Sequence, residues 1–205
     1  MDCDFCERIL QPGGQRPWYD FRVLGEDEHF LVVPALGSIV PGHILLVSRR
    51  HVTSLAQLTE LELMFLAELV NAWSSRIAES WGTPVYGFEH GSAVGKSVRA
   101  CIAHAHLQLL PLSSCSCLEK GFVESRNWTS LAALAGIDYL LAYRPGSIGT
   151  RSHDEGTSQY LRRRLLKKLG RENECDYLVY PNLDAMRETI HRLAQTAVIV
   201  TEGAG

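Results

Sequence analysis

What the chain lacks narrows its class. No stretch approaches the length of a membrane span, and the opening Met1-Asp-Cys-Asp-Phe-Cys6 is neither basic nor followed by an apolar run. No signal peptide or spanning helix can be read, so a cytoplasmic location with no membrane partner is the expectation. Charge of one sign is scarce as well: 20 Lys and Arg stand against 23 Asp and Glu, for a net charge of −3. That balance argues against binding a nucleic acid duplex, whereas a small phosphorylated ligand needs only local positive groups. Internal repeats are lacking, as is any low-complexity linker long enough to split the chain. The six cysteines, in a reducing compartment, are expected as thiols or metal ligands rather than as a disulfide frame.

What is present supports a packed core, with 46% apolar against 21% charged residues over 205 positions. Phe21–Gly25 and His29–Val33 read as strands joined by a turn at Gly25–Glu28, and His43–Ser48 reads as a third strand. Thr59-x-x-Glu62 is a capping-box signature opening a helix to about Trp81, with Leu61, Met64, Phe65, Leu69, Trp73 and Ile77 as its core stripe. Val85–Glu89 is a fourth strand. The fifth, Cys101–Pro111, alternates so that His104, His106 and Gln108 share one parity and hence one face. Beyond it, Tyr139–Tyr143 reads as a strand and Arg144–Gly156 as a polar, glycine-rich connection. Ser158–Leu169 reads as a basic helix with Leu161, Leu165 and Leu169 inward, and Asp184–Val200 as a closing helix.

Imidazole is a good nucleophile near neutral pH, and a glutamine amide two residues on can donate to an anionic oxygen without carrying charge. His104-Ala-His-Leu-Gln108, followed by Leu109-Leu110-Pro111, resembles the His-x-His-x-His/Gln motif of the histidine triad (HIT) superfamily. The glutamine form is similar to the branch containing galactose-1-phosphate uridylyltransferase and the dinucleoside polyphosphate phosphorylases. The resemblance covers roughly residues 1–112. It implies an α+β fold: a HIT-like antiparallel half-barrel sheet with one long helix. Residues 113–205 would then be a C-terminal mixed α/β extension, packed on the core and shaping the substrate site.

The resemblance further implies that His106 attacks the α-phosphorus of a nucleotide or dinucleotide, with Gln108 supporting the transferred phosphoryl group. Transfer or phosphorolysis is the expected outcome. Hydrolysis by water and a non-catalytic nucleotide-binding adaptor are the alternatives. The segment His90–Val98, with Ser92, Lys96 and Ser97, would border the phosphates, although Arg99–Ala103 intervene before the motif. Arg162 and Arg163 of the basic helix are further phosphate-binding candidates, against the ordinary reading of such a run as a solvated face. A homodimer through the long helix is also common in the family.

Cys3-x-x-Cys6 has the spacing of a zinc site, with a redox pair as the rival. In the resembling branch, zinc sits on such a pair, one intermediate histidine and the first motif histidine. Cys3, Cys6, His51 and His104 match that order, giving a structural zinc with four protein ligands. An all-cysteine set of Cys3, Cys6, Cys115 and Cys117 is the competing arrangement.

Overall fold

A computed structural model describes residues 3, 5–10, 23–93, 104–114, 121–153 and 159–194. Among these, eight strands form one open antiparallel sheet: β1 (Gly25–Glu26), β2 (Phe30–Pro34), β3 (Ile44–Ser48), β4 (Val85–Gly91), β5 (His106–Pro111), β6 (Val123–Ser125), β7 (Tyr139–Arg144) and β8 (Ser147–Ser152). Their spatial order is β1-β2-β3-β5-β4-β7-β8-β6. The helices are α1 (Glu60–Trp81), α2 (Tyr160–Lys168) and α3 (Leu183–Ala194). This is the α+β, HIT-like architecture expected from the motif. Among the described residues, no helix is long and apolar enough to cross a membrane.

The sheet is covered on both faces, so its central strands are apolar at both parities. Phe30, Val32, Leu46, Leu107 and Leu109 pack under α1 with Trp128 and Leu131. The opposite parity divides between two covers. Leu31, Val33 and Val47 meet Cys3 and Phe5, while Phe88, Leu110 and Leu140 meet Leu161, Leu165 and Leu166 of α2. β7 pairs directly with β4, so residues beyond 112 extend the same sheet.

Several elements differ from the sequence reading. Glu26, read as turn, is strand: with Gly25, the expected strand end, it pairs with β2, Gly25 opposite Val32 and Glu26 opposite Leu31. The reversal sits one step later, where Asp27 Oδ1 accepts the N–H groups of His29 and Phe30, both at 2.7 Å. Helix α1 turns inward only the later part of the expected stripe, Trp73 and Ile77 with Leu69 beside them. Leu63, Leu66, Val70, Trp73 and Ile77 are buried, whereas Leu61, Met64 and Phe65 are exposed. The segment read as a polar connection contains β8, which pairs with both β7 and β6. Pro145 and Gly146 make its hairpin turn. Proline presets the first φ and Gly146 supplies the left-handed φ of 84°. Leu169 is 41% exposed rather than inward because α2 ends at Lys168. The closing helix is described to Ala194, and residues 195–200 of the expected span lie outside the described residues.

The start of α1 follows from its cap. Thr59 Oγ1 accepts the Glu62 N–H at 3.2 Å, and Glu62 Oε2 accepts the Thr59 N–H at 2.7 Å. Arg50 closes the box from outside, its Nε and Nη2 donating to Glu62 at 3.0 and 2.7 Å. The Arg50 guanidinium is the first cause holding the Glu62 carboxyl down at about 2, below its ordinary 4.5. A depressed carboxyl contributes stability above its unfolded value and loses it as pH falls through the folded one. Glu62→Gln is therefore expected to cost about 1–2 kcal/mol at neutral pH. Urea unfolding of both proteins should show that difference shrinking between about pH 4.5 and pH 2.

Candidate active site and metal centre

β5 sits in the middle of the sheet and sets the site. Leu107 and Leu109 anchor it in the core under α1, which forces the half-buried His106 and Gln108 onto the other face. The shared face of these two residues is as the alternation predicts. The strand is shorter than read, however: it starts at His106, and His104 precedes it. His104 is held by β3 instead, its Nε2–H donating to the Ser48 carbonyl at 2.6 Å.

That hydrogen bond fixes the tautomer and leaves the His104 Nδ1 lone pair facing the N-terminal segment. Nδ1 stands 3.5 Å from both Cys3 Sγ and Cys6 Sγ and 3.2 Å from His51 Nδ1. Cys6 Sγ is 3.2 Å from His51 Nδ1. One ligand atom from each of the four residues lies within 4.8 Å of every other, so Cys3, Cys6, His51 and His104 can hold a metal ion. A tetrahedral ion with ordinary metal–sulfur and metal–nitrogen bonds needs N···N and N···S separations of about 3.4 and 3.6 Å. The donor set and its spacing therefore fit. Cys3 and His104 are buried. Without a cation, burial pushes the Cys6 thiol up to about 11, with Cys3 adding to it. Burial likewise pulls His104 down to about 4, a neutral ring suited to donating its lone pair to a metal. Cys115 and Cys117 lie outside the described residues.

His106 is oriented from the same place. Its Nδ1–H donates to the His104 carbonyl at 2.8 Å, which leaves Nε2 with a free lone pair. Burial holds its pKa below the ordinary value, partly offset by that hydrogen bond, so the ring is neutral at neutral pH. Phe5, two residues after Cys3, meets both rings edge-on, with centroids 5.6 Å from His104 and 5.5 Å from His106. The segment that carries Cys3 and Cys6 thus also forms one wall around His106.

Gln108 has a partner that sequence reasoning missed. His43 Nδ1 accepts the Ile39 N–H at 3.2 Å, so its Nε2 must carry the proton. That Nε2–H donates across 3.0 Å to Gln108 Oε1. The amide is thereby oriented: its oxygen is engaged, and its NH2 group is directed elsewhere on the site face. Burial, then the Arg162 charge, pushes His43 down to about 3, which keeps this donor–acceptor pattern fixed. His43 reads in sequence as the first residue of a strand, and only the tertiary pairing of β3 with β5 gives it a role.

The remaining candidates are dispersed. Ser92 is half-buried, and its carbonyl accepts the Thr53 hydroxyl at 3.0 Å. Lys96 and Ser97 lie outside the described residues. Arg162 is buried beside His43, with Nε and Nη2 donating to the carbonyls of Cys175 and Glu174 at 3.1 and 3.4 Å. Arg163 is exposed on α2.

Residues 19–114 match the family model of the HIT domain. No curated protein matches the chain. Solved structures with a similar arrangement include the Ap4A phosphorylase of yeast in complex with AMP, at 12% identity and TM-score 0.44, covering 87% of this chain and 77% of that one. A hypothetical histidine triad nucleotide-binding protein from Sulfolobus tokodaii gives 15% identity and TM-score 0.38, with 87% and 92% covered. A HIT family hydrolase from Clostridium thermocellum gives 21% and 0.37, with 54% and 90% covered. The stretch that matches the HIT domain model includes His104, His106 and Gln108, the residues of the histidine motif.

Proposed function

We propose that the chain transfers a nucleotidyl group, with His106 as nucleophile and a phosphate-bearing acceptor. The observation that carries this reading is the tautomer of His106: Nδ1–H is spent on the His104 carbonyl, and the Nε2 lone pair is free on the face shared with Gln108. In the first step, that lone pair forms a bond to the α-phosphorus of a nucleotide or dinucleotide. The bond from phosphorus to the bridging oxygen breaks, and the leaving phosphate keeps the electron pair. In the second, an acceptor oxygen displaces the nitrogen and restores the imidazole. Gln108, aligned by His43, donates its amide N–H to a phosphoryl oxygen in both steps. An amide cannot titrate, so this position suits a leaving group and an acceptor that are both phosphates and need no proton. That favours transfer or phosphorolysis over hydrolysis.

Cys3, Cys6, His51 and His104 are assigned to a structural zinc ion. Four protein ligands leave no open position, and thiolate with imidazole is a donor set suited to zinc. The ion would tie the N-terminal segment to the entry of β5, fixing the backbone carbonyl that orients His106. It takes no part in the transfer.

The test is incubation with α-labelled nucleotides, including dinucleotides and nucleotide sugars, followed by denaturing electrophoresis. An acid-labile label on the wild type that is absent from His106→Asn is the expected result. Its release by inorganic phosphate identifies phosphorolysis, and release in water alone identifies hydrolysis. Absence of label across the whole panel would leave only the adaptor reading.

A further inference from the structure

A second cluster of polar side chains lies on the His106 face of the sheet, built largely by residues beyond 112. Phe88 of β4 pairs with Gln108, so His90, two residues along, shares the face of Gln108. His90 pairs with Leu140 and Leu140 with Arg151, which continues the row on the same face across β7 to β8. Just past β8, His153 is buried, at 4% exposure. Its ring lies 5.0 Å from His90 and 4.9 Å from Tyr160, the first residue of α2. Two guanidinium groups flank that tyrosine, Arg151 at 5.5 Å and Arg164 at 5.6 Å from its ring centre, and Arg164 Nη1 donates to its hydroxyl at 3.0 Å.

Three polar atoms here are buried and make no hydrogen bond among the described residues: His90 Nδ1, Arg151 Nε and His153 Nε2. Such atoms are costly if left so, and native proteins seldom concentrate them. Asp138 also acts on His90, but its Oδ1 accepts the Ala93 N–H at 2.7 Å. Among the described residues, two arginines and two imidazoles against one engaged carboxylate make the cluster a place for an anion with several acceptor oxygens. Strand spacing of about 4.8 Å puts His90 one strand away from β5 and Arg151 about 15 Å away, so the arginine end lies too far along the sheet to grip the phosphorus that His106 attacks.

We propose that His90, Arg151, His153, Tyr160 and Arg164 form a second anion subsite, for a phosphate group other than the one bonded to His106. Its use in the reaction rests on the nucleotidyl-transfer reading; the binding itself does not. The phosphate is either the far end of the substrate's leaving chain or the free acceptor phosphate.

Calorimetric titration of the full chain with inorganic phosphate, and separately with tripolyphosphate, tests this. The wild type is expected to bind at least one of them, Arg151→Gln to bind it about tenfold or more weakly, and His106→Asn to bind it within about twofold of the wild type. Tighter binding of tripolyphosphate identifies the leaving chain, and tighter binding of phosphate identifies the acceptor. Should Arg151→Gln melt well below the wild type, Arg164→Gln carries the same comparison. Absence of binding with either probe, indifference to both arginine substitutions, or an equal loss in His106→Asn would overturn the proposal. Because no turnover is read, failure of the labelling experiment leaves this result intact.

Discussion

Replacing His106 by asparagine is expected to lower kcat by about 10³-fold or more, equivalent to about 4 kcal/mol of lost transition-state stabilisation. The asparagine amide can occupy the place of the ring Nδ1–H and keep donating to the His104 carbonyl, so the strand entry and the neighbouring donors stay in position. What is removed is the Nε2 lone pair alone. Substrate binding should therefore change little, and KM is expected to stay within about threefold of wild type. Initial rates with and without inorganic phosphate, measured on the substrate that labels the wild type, make the comparison. Normal turnover in this variant would end the covalent reading, because no other described side chain on that face has its free nucleophilic atom oriented by the strand itself.

Metal loss is the second large effect. Cys3→Ser is expected to reduce bound zinc from about one ion per chain to a small fraction of that, since one of four ligands is lost from a set with no replacement among the described residues. His51→Ala should do the same, which separates this set from the all-cysteine alternative: a full zinc complement in His51→Ala would move the ion to Cys115 and Cys117. The stability cost should reach about 3 kcal/mol or more, a large share of the roughly 5–15 kcal/mol that holds a domain folded. Elemental analysis gives the stoichiometry, and thermal melts with and without a chelator give the stability. The two losses should track each other across variants. Activity should fall with them, because Phe5 and the His104 carbonyl both lose their anchor around His106.

Where local chemistry decides the outcome, the sequence can be read directly. Thr59 and Glu62 mark the start of α1 because a cap satisfies its own backbone donors within one turn. The alternation in β5 is visible because a strand's period is two whatever it packs against. The inward stripe of α1 was legible at Trp73 and Ile77 but not in its first turns, for the opposite reason. Leu61, Met64 and Phe65 are as apolar as Leu63, Leu66 and Val70, so the helix carries two greasy faces, and tertiary packing alone selects one. β8 was hidden because its pairing partners, β6 and β7, supply the order that its own Ser, Gly, Thr and Arg do not advertise. The four residues that can hold a metal ion could be assembled through the resemblance, with spacing alone marking Cys3 and Cys6. His43 could not, since a single histidine opening a strand gains meaning only from the neighbour across the sheet.

The cage draws its donors from three distant points of the chain, and Cys3 and His104 are separated by 101 residues. At a synthesis rate of roughly 5–20 residues per second, the first two thiols wait about 5–20 seconds on the ribosome before their last partner exists. During that interval they are ordinary reduced cysteines, exposed to oxidants and to any competing ion. With an ion held there as proposed, its capture would wait for His104 to emerge, while β6, β7 and β8 are still to be made. The wall that Phe5 forms beside His106 would close only then, so the ion would set the moment at which the proposed nucleophile is enclosed.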